Sequence, residues 1–283
     1  MLFLRRKMHE SVKSPYSNSR QDEKGREKMR RILRRLYWVL GLVVFLCGCA
    51  NPGTDAETSE TELEPAKGAN AEAGEKPKVY LTFDDGPCES TAQILDILKE
   101  HQVPAAFFVI AREEEELLPL YQRIVEEGHV LANHTASHVY EHVYADFDSL
   151  KEEIEELESY VEQVSGYAPE KIFRFPGGST RGEKNLGSGV TEKLISWGYR
   201  VIDWNCSGDD AIRKGVTAQE IYESTIKTAQ GKDPVIILLH SASYAPQTVN
   251  ALPSILSYFQ ENGYVFGSLT DDDAPENWWL GSH

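Results

Sequence analysis

The chain has 283 residues, of which 41% are hydrophobic and 26% are charged, a composition typical of a globular protein with one or two domains. Its formal charge of −16 is uneven, because residues 1–35 hold 12 Lys/Arg and 4 Asp/Glu, for +8, and the remainder holds 17 against 41, for −24. A folded part this acidic repels phosphate groups, so the charge excludes DNA and RNA as partners.

The amino-terminal part has the pattern of an export signal. The basic residues 1–35 precede an apolar segment, residues 36–49, that contains no charged side chain and is shorter than the roughly 20 residues needed to cross a bilayer. This segment ends in Leu-Cys-Gly-Cys, which resembles the lipoprotein box of bacteria, with Cys49 as the lipidated residue. Because a basic flank stays in the cytoplasm, we expect the following residues outside it, attached to the cell membrane as a lipoprotein or through an uncleaved signal anchor.

The sequence does not decide which methionine is the first residue of the leader, and a linker follows the leader. Met29 begins a segment of ordinary signal length, so the start is either Met1 or Met29. Residues 50–77 are rich in Glu, Ala, Gly, Thr and Pro and nearly lack large apolar side chains, which predicts a flexible acidic linker. The folded domain is therefore predicted at residues 78–270, with a C-terminal tail at residues 271–283.

The predicted domain alternates β-rich runs with helical patterns. Strands are predicted at Val79–Phe83, Ala105–Ile110, Val130–Asn133, Ile172–Phe175, Tyr199–Trp204, Val235–Leu239 and Tyr264–Phe266. The clearest helix has an apolar stripe at Leu150, Ile154, Leu157, Val161 and Val164, and its Glu-rich opposite face indicates a solvated surface. Seven strands that alternate with helices predict an α/β fold with a parallel sheet, in which chemistry sits at the carboxyl ends of the strands.

Carboxylates and imidazoles follow two of these strands. Asp84 and Asp85 end the first strand, where a turn is the simplest interpretation, although adjacent carboxylates are costly unless a metal or an arginine compensates their charge. His134 and His138 follow the third strand, and one helical turn would place both imidazoles on one face. Two histidines and one carboxylate form a metal-ligand set with open positions, whereas two surface histidines are the simpler alternative.

Three further groups end later strands. Arg174 ends the fourth strand and can neutralise a carboxylate, and the glycines after it permit close approach of the backbone to a ligand. His240 closes the apolar sixth strand, where a general acid or base would sit. Asp209 and Asp210 follow the fifth strand, and either could orient His240. Because all five motifs fall at carboxyl ends of strands, we expect them to converge.

The cysteines within the predicted domain are far apart in sequence. Cys88 and Cys206 lack the spacing of a zinc site, and two small buried side chains are the simplest interpretation. A disulfide between them is an open alternative outside the cytoplasm, because the sequence does not tell whether they lie close together.

The ordered set of motifs resembles that of the polysaccharide deacetylases of carbohydrate esterase family 4, which share the NodB homology domain. The motifs are TFDDG at 82–86, HTASH at 134–138, RFPGG at 174–178, the stretch that ends in Asp210, and LLH at 238–240. The resemblance covers residues 78–270 and implies a distorted (β/α) barrel with about seven parallel strands. It also implies a hydrolase that removes N-acetyl groups from a polysaccharide and uses one divalent metal ion. The expected ion is Zn²⁺, and Co²⁺ or another divalent ion is the alternative.

The resemblance assigns roles by motif position. It implies that Asp84 is the catalytic base, that Arg174 is the partner of this base, and that His240 is the general acid, with Asp210 as the acid that tunes His240. It implies that the metal ligands are Asp85, His134 and His138. The backbone N–H of Gly177 is implied as the oxyanion donor. Two positions depart from the family, since Gly177 stands where Tyr is common and Ala211 stands where Trp is common. Without that Trp, the pocket for the acetyl methyl keeps Leu238 and Trp204 as substrate-binding walls.

The expected substrate is N-acetylglucosamine within peptidoglycan, because a tethered enzyme is held near the cell wall. The predicted partners are therefore a cell-wall polysaccharide and the membrane, and the chain is predicted to be a monomer. Within the family, a chitin-oligosaccharide deacetylase and an acetyl-xylan O-esterase are the alternatives. A non-catalytic glycan-binding protein should have lost the base or a ligand. A non-haem Fe(II) oxygenase, which also uses two histidines and one carboxylate, leaves Arg174 and His240 unexplained.

Overall fold

The computed structural model describes residues 76–278, in which parallel strands alternate with helices. The strands are β1 (Lys78–Gly86), β2 (Ala106–Val109), β3 (Val130–Asn133), β4 (Ile172–Phe173), β5 (Arg200–Val201), β6 (Cys206–Ser207), β7 (Val235–His240) and β8 (Val265–Phe266). The helices are α1 (Glu89–His101), α2 (Leu118–Glu126), α3 (Tyr140–Val143), α4 (Phe147–Ser165), α5 (Ser179–Leu186), α6 (Val190–Ser196), α7 (Ala218–Ala229) and α8 (Thr248–Glu261).

The predicted leader lies outside the described residues, together with Cys49 and the linker up to residue 75. Between residues 76 and 278, no helix combines the length and the apolar character that a membrane span requires.

The strands form one sheet in the order β5-β4-β3-β2-β1-β7-β6, and β8 pairs with the start of β1. Every one of these pairings is parallel. The predicted α/β architecture, a distorted barrel of parallel strands, is confirmed, and each of the seven predicted strand segments overlaps an observed strand. The strand that the sequence missed is β6, because its two residues are too few for a periodic signal.

Side chains of β1 alternate between two apolar layers, as the period of a strand requires. Val79, Leu81 and Phe83 belong to the large core that includes buried residues of α1, α7 and α8. Tyr80 lies in the second core, with Phe108 and residues of β3, β4 and β7. Thr82 and Asp84 follow Tyr80 on that second face, so the alternation that buries β1 also turns Asp84 inward at the carboxyl end.

Helix α4 agrees with the predicted apolar stripe. It begins after Asp146, whose side chain accepts a hydrogen bond from the backbone N–H of Ser149, and it ends at Gly166 with φ 79°. Four residues of its stripe are buried and Val164 is partly exposed, and the Glu-rich face is not wholly solvated as predicted, because Glu153 is only 8% exposed.

Packed structure continues beyond residue 270, the predicted end of the domain. Trp278 forms a parallel bridge with Ile202, and the Arg200 guanidinium donates to the carbonyl oxygens of Leu269, Pro275 and Glu276. Residues 271–278 therefore cover the edge of the sheet at β5.

The cysteines of the domain are two separate thiols. Cys88 and Cys206 are both free and buried, so the disulfide that the sequence left open is not formed. Cys88 precedes α1 as its N-cap residue, and burial raises the pKa of Cys206 to about 11.

Candidate active site

The predicted site residues converge at the carboxyl end of the sheet. In the register of β1 and β7, Asp84 lies directly opposite His240. The next residue after β3 is His134, whose backbone N–H donates to the carbonyl of Val109 at the end of β2. Parallel strands end at the same edge, and this places side chains that are far apart in sequence within one cleft.

Asp84 is held by a fully buried arginine. Nη1 of Arg174 lies 2.7 Å from Oδ1 of Asp84 and 2.8 Å from the hydroxyl of Thr82, while Nε and Nη2 donate to the carbonyls of Ile202 and Asp203. Arg174 is 0% exposed and Asp84 is 3% exposed. A buried charge requires a partner and hydrogen bonds for its remaining donors, and Arg174 has both. The predicted partner of the base is therefore in contact with it.

Asp85, His134 and His138 form a compact set of ligand atoms. One ligand atom of each residue lies within 4.8 Å of the others, and Oδ1 of Asp85 is 3.4 Å from Nε2 of His134 and 3.3 Å from Nε2 of His138. This Oδ1 is buried and accepts no hydrogen bond from any described residue. Nδ1 of His134 donates to the carbonyl of Arg174 at 2.8 Å, since a carbonyl can only accept, and this bond turns Nε2 toward Asp85.

The pKa shifts in this set agree with a cation site. Burial alone would raise the pKa of Asp85, but the imidazoles of His134 and His138 and the Tyr244 hydroxyl lower it below its ordinary value. Burial and the neighbouring His134 lower the pKa of His138. A carboxyl group that ionises readily and an imidazole that gives up its proton readily are suited to binding a divalent metal, so the residues present fit such an ion.

The two histidines approach each other on a loop rather than on a helix. Residues 134–139 precede α3, and the φ values of Thr135 and His138 are 72° and 56°. The predicted helical turn between His134 and His138 is therefore wrong, although their ring centroids are 5.0 Å apart. The loop is shaped by side chains instead, because Oδ1 of Asn133 accepts from the backbone N–H of Thr135 at 2.9 Å.

His240 is oriented by Asp210. Nδ1 of His240 lies 2.7 Å from Oδ1 of Asp210, and Oδ2 of Asp210 accepts from the backbone N–H of His240 and from the hydroxyl of Thr248. Burial would lower the pKa of His240, but the hydrogen bond and charge of Asp210 raise it to about 9, with Asp84 and Asp85 contributing. Of the two acids that the sequence left open, Asp209 bonds instead to Ser207 and Ser224.

Gly177 presents its backbone at the edge of the site. Its φ is 79°, and a Cβ at this position would lie 2.6 Å from Nε of Arg181 and 3.0 Å from the hydroxyl of Tyr140, so glycine is required. Its N–H donates to no acceptor among the described residues. The walls predicted beside it differ in exposure, since Leu238 is buried and Trp204 is partly exposed with its ring against Gly178.

Comparison with known proteins agrees with this arrangement. The model of the polysaccharide deacetylase family matches residues 71–201. A peptidoglycan-N-acetylglucosamine deacetylase of Bacillus cereus is 30% identical over 229 residues, which cover 79% of this chain and 81% of the relative. The chain belongs to the polysaccharide deacetylase family. The resemblance that the five motifs suggested is therefore confirmed, and the protein is a deacetylase, a hydrolase of this family.

A second relative and a solved structure extend the comparison of the deacetylase. A chitooligosaccharide deacetylase of Sinorhizobium fredii is 32% identical over 197 residues, which cover 68% of this chain and 90% of the relative. The crystal structure of the catalytic domain of a peptidoglycan N-acetylglucosamine deacetylase from Eubacterium rectale has a TM-score of 0.64 at 30% identity and covers 76% of this chain and 97% of that chain.

Three residues of the deacetylase support the site without having been predicted. Asp203 accepts from the backbone N–H and hydroxyl of Ser179 and so holds the turn after Gly177. Glu153 accepts from the backbone N–H and hydroxyl of Ser137, between the two histidines. Tyr244 donates its hydroxyl to Asp85. Asp203 had a signal, an acid at the end of an apolar run, whereas Glu153 and Tyr244 look like ordinary surface residues in sequence.

Proposed function

We propose that this deacetylase removes N-acetyl groups from N-acetylglucosamine residues of peptidoglycan and that it requires one divalent cation, Zn²⁺, bound by Asp85, His134 and His138. The observation that carries the proposal is the convergence of three groups at one end of the sheet: a carboxylate paired with a buried arginine, the Asp-His-His set, and a histidine paired with a carboxylate. Relatives named for peptidoglycan N-acetylglucosamine support the choice of sugar and polymer.

The chain's own residues supply the proton transfers. Arg174 holds the Asp84 carboxyl group in place by a hydrogen bond, so Asp84 is positioned to accept the proton of the water that attacks the acetamide carbonyl. The free N–H of Gly177 donates to the oxygen on which negative charge develops. His240 is protonated below about pH 9 and donates its Nε2 proton to the departing amine, while Asp210 holds its Nδ1. The C–N bond breaks, and the products are acetate and a glucosamine residue.

The metal would contribute one further element. A divalent cation held by Asp85, His134 and His138 would supply Lewis-acid polarisation and would make the attacking water more acidic.

We further propose that the deacetylase acts as a monomer outside the cytoplasm and is tethered to the membrane through lipid on Cys49. The support is the basic and apolar leader that ends in Leu-Cys-Gly-Cys and the acidic linker after it. A linker over residues 50–77 reaches at most about 3.3–3.6 Å per residue, which confines the domain to the inner wall. Mass spectrometry of the membrane-extracted protein should show a diacylglyceryl Cys49 at a new amino terminus, whereas a retained Met1 or Met29 would identify a signal anchor.

The substrate is tested by measuring acetate release from peptidoglycan, chitin oligomers and acetyl-xylan side by side, with an Asp84→Asn variant as the inactive control. We expect the highest rate on peptidoglycan, and the muropeptides should gain free amines on N-acetylglucosamine. Release confined to chitin oligomers would favour the second candidate, which the chitooligosaccharide deacetylase relative supports. Amines that appear only on muramic acid would move the assignment to that sugar.

A further inference from the structure

Tyr244 touches the metal-binding set from a segment that belongs to none of the five motifs. It lies in the loop of residues 241–247 between β7 and α8, and its hydroxyl donates to Oδ2 of Asp85. Its side chain is 54% exposed, and its ring centroid lies 5.8 Å from that of His240. A half-exposed phenol thus contacts a carboxylate that is only 7% exposed.

The two oxygens of Asp85 have different surroundings. Oδ1 faces Nε2 of His134 and His138 and accepts no hydrogen bond among the residues described, whereas Oδ2 is held by Tyr244. The backbone of Asp85 is fixed as well, with φ 69° and its carbonyl bonded to Arg112 at 3.1 Å. The hydrogen bond from Tyr244 is therefore the contact that sets the rotation of the carboxylate and keeps Oδ1 turned toward the imidazoles.

The loop that carries Tyr244 is anchored at both ends by hydrogen bonds to residues around the site. The backbone N–H of Ser241 donates to the carbonyl of Asp84 at 2.9 Å, and its hydroxyl lies 2.6 Å from that of Thr91. At the other end, the hydroxyl of Thr248 donates to Asp210. Because both ends are fixed, the loop can hold a side chain in place at the mouth of the site.

We propose that Tyr244 is a positioning residue for the metal ligand Asp85, and that its hydroxyl raises the affinity of the site for a divalent cation. The inference rests on the metal ion of the proposed function. Tyr244 acts on the ligand, not on the substrate, so its effect is expected in the binding of Zn²⁺ to the enzyme without substrate. Hydrogen bonds to metal ligands commonly contribute a factor of about 10 to 100 in affinity.

The test compares the full-length wild type with Tyr244→Phe, which keeps the ring and removes the donor. Zn²⁺ affinity of the metal-free proteins is measured by competition with a chromophoric chelator, and the visible spectrum of the Co²⁺ forms reports the ligand geometry. We expect about 10- to 100-fold weaker Zn²⁺ binding and an altered Co²⁺ spectrum. The metal-free variant should remain folded, with a melting temperature lowered only by the loss of one hydrogen bond, because phenylalanine keeps the packing of the ring.

Tyr140→Phe is the matched control. Tyr140 is also exposed beside the site, with its ring 5.6 Å from that of His138, but its hydroxyl makes no hydrogen bond within residues 76–278. Its variant should bind Zn²⁺ like the wild type. Equal affinity of Tyr244→Phe would overturn the inference alone, and tighter binding would show that the phenol obstructs the cation. A wild type that binds no divalent cation would contradict the proposed function and the inference together.

Discussion

At the residue scale, the pair of Arg174 and Asp84 shows how one buried charge depends on another. The guanidinium of Arg174 donates hydrogen bonds to Thr82, to Asp84 and to two backbone carbonyls, all of them inside the protein. The sequence predicts a neutralising arginine near the first motif, but its complete burial depends on tertiary packing, in which the ring centroid of Phe108 lies 4.0 Å from Cζ of the guanidinium.

Arg174→Met should lower the free energy of unfolding by about 3–5 kcal/mol, because the variant leaves Asp84 buried without a compensating charge. Urea denaturation of the metal-free protein measures the loss. The double variant Arg174→Met/Asp84→Asn should recover part of it, since the unpaired charge is then gone. No recovery would mean that Arg174 stabilises the domain mainly through its carbonyl contacts.

Asp210→Asn should move the alkaline limb of the pH profile of kcat/KM to lower pH. The acid form of His240 is present below its pKa of about 9 and is lost as the pH rises through that value, and removing the Asp210 carboxylate lowers this pKa. The measurement is kcat/KM against pH on an N-acetylglucosamine oligomer. Asp209→Asn is the control, because Asp209 does not contact His240. An unshifted limb in Asp210→Asn would assign it to another group.

At the scale of elements, helix α4 has two functions, and its sequence pattern indicates only the first of them. The stripe of Leu150, Ile154, Leu157 and Val161 packs the helix onto the domain. The neighbouring Glu153 turns inward as well and supports the loop between His134 and His138. The sequence pattern of this helix indicates only packing, but the helix also supports the site.

Glu153→Ala should lower the free energy of unfolding by about 1.5–3 kcal/mol and weaken Zn²⁺ binding, because it removes two hydrogen bonds to a charged acceptor and frees the loop of residues 134–138. Glu152→Ala is the matched control on the exposed face and should change stability by no more than about 0.5 kcal/mol. Equal effects of the two substitutions would show that Glu153 does not support the loop.

At the scale of the whole molecule, the set of Asp85, His134 and His138 joins the end of β1 to the loop after β3. A cation at this set would bind the folded state and not the unfolded state, so it would stabilise folding by mass action. The gain in the free energy of unfolding is about 2.7 kcal/mol when the concentration of the free ion is about 100 times its dissociation constant. We expect Zn²⁺ to raise the melting temperature and a chelator to reverse the rise. His138→Ala should lose most of this response, and an undiminished response would place the ion elsewhere.

Much of the architecture follows from local pattern. The seven strand segments, the stripe of α4 and the order of the motifs depend on residue periodicity and spacing, which are properties of the chain itself. Because parallel strands present their carboxyl ends at one edge, the predicted convergence of Asp84, His134 and His240 also follows without coordinates. The two-residue β6 did not follow, since it has no periodic signal.

The remaining features of the site depend on contacts between segments that are distant in the chain. Asp210 rather than Asp209 meets His240 because of the register between β6 and β7, and Tyr244 meets Asp85 across 159 positions of sequence. The loop from His134 to His138 leaves the helical conformation that its spacing suggests because Asn133 and Glu153 satisfy its backbone instead. Local sequence encodes which residue types stand at the ends of strands, whereas the partner that each finds is set by packing and register over the folded domain.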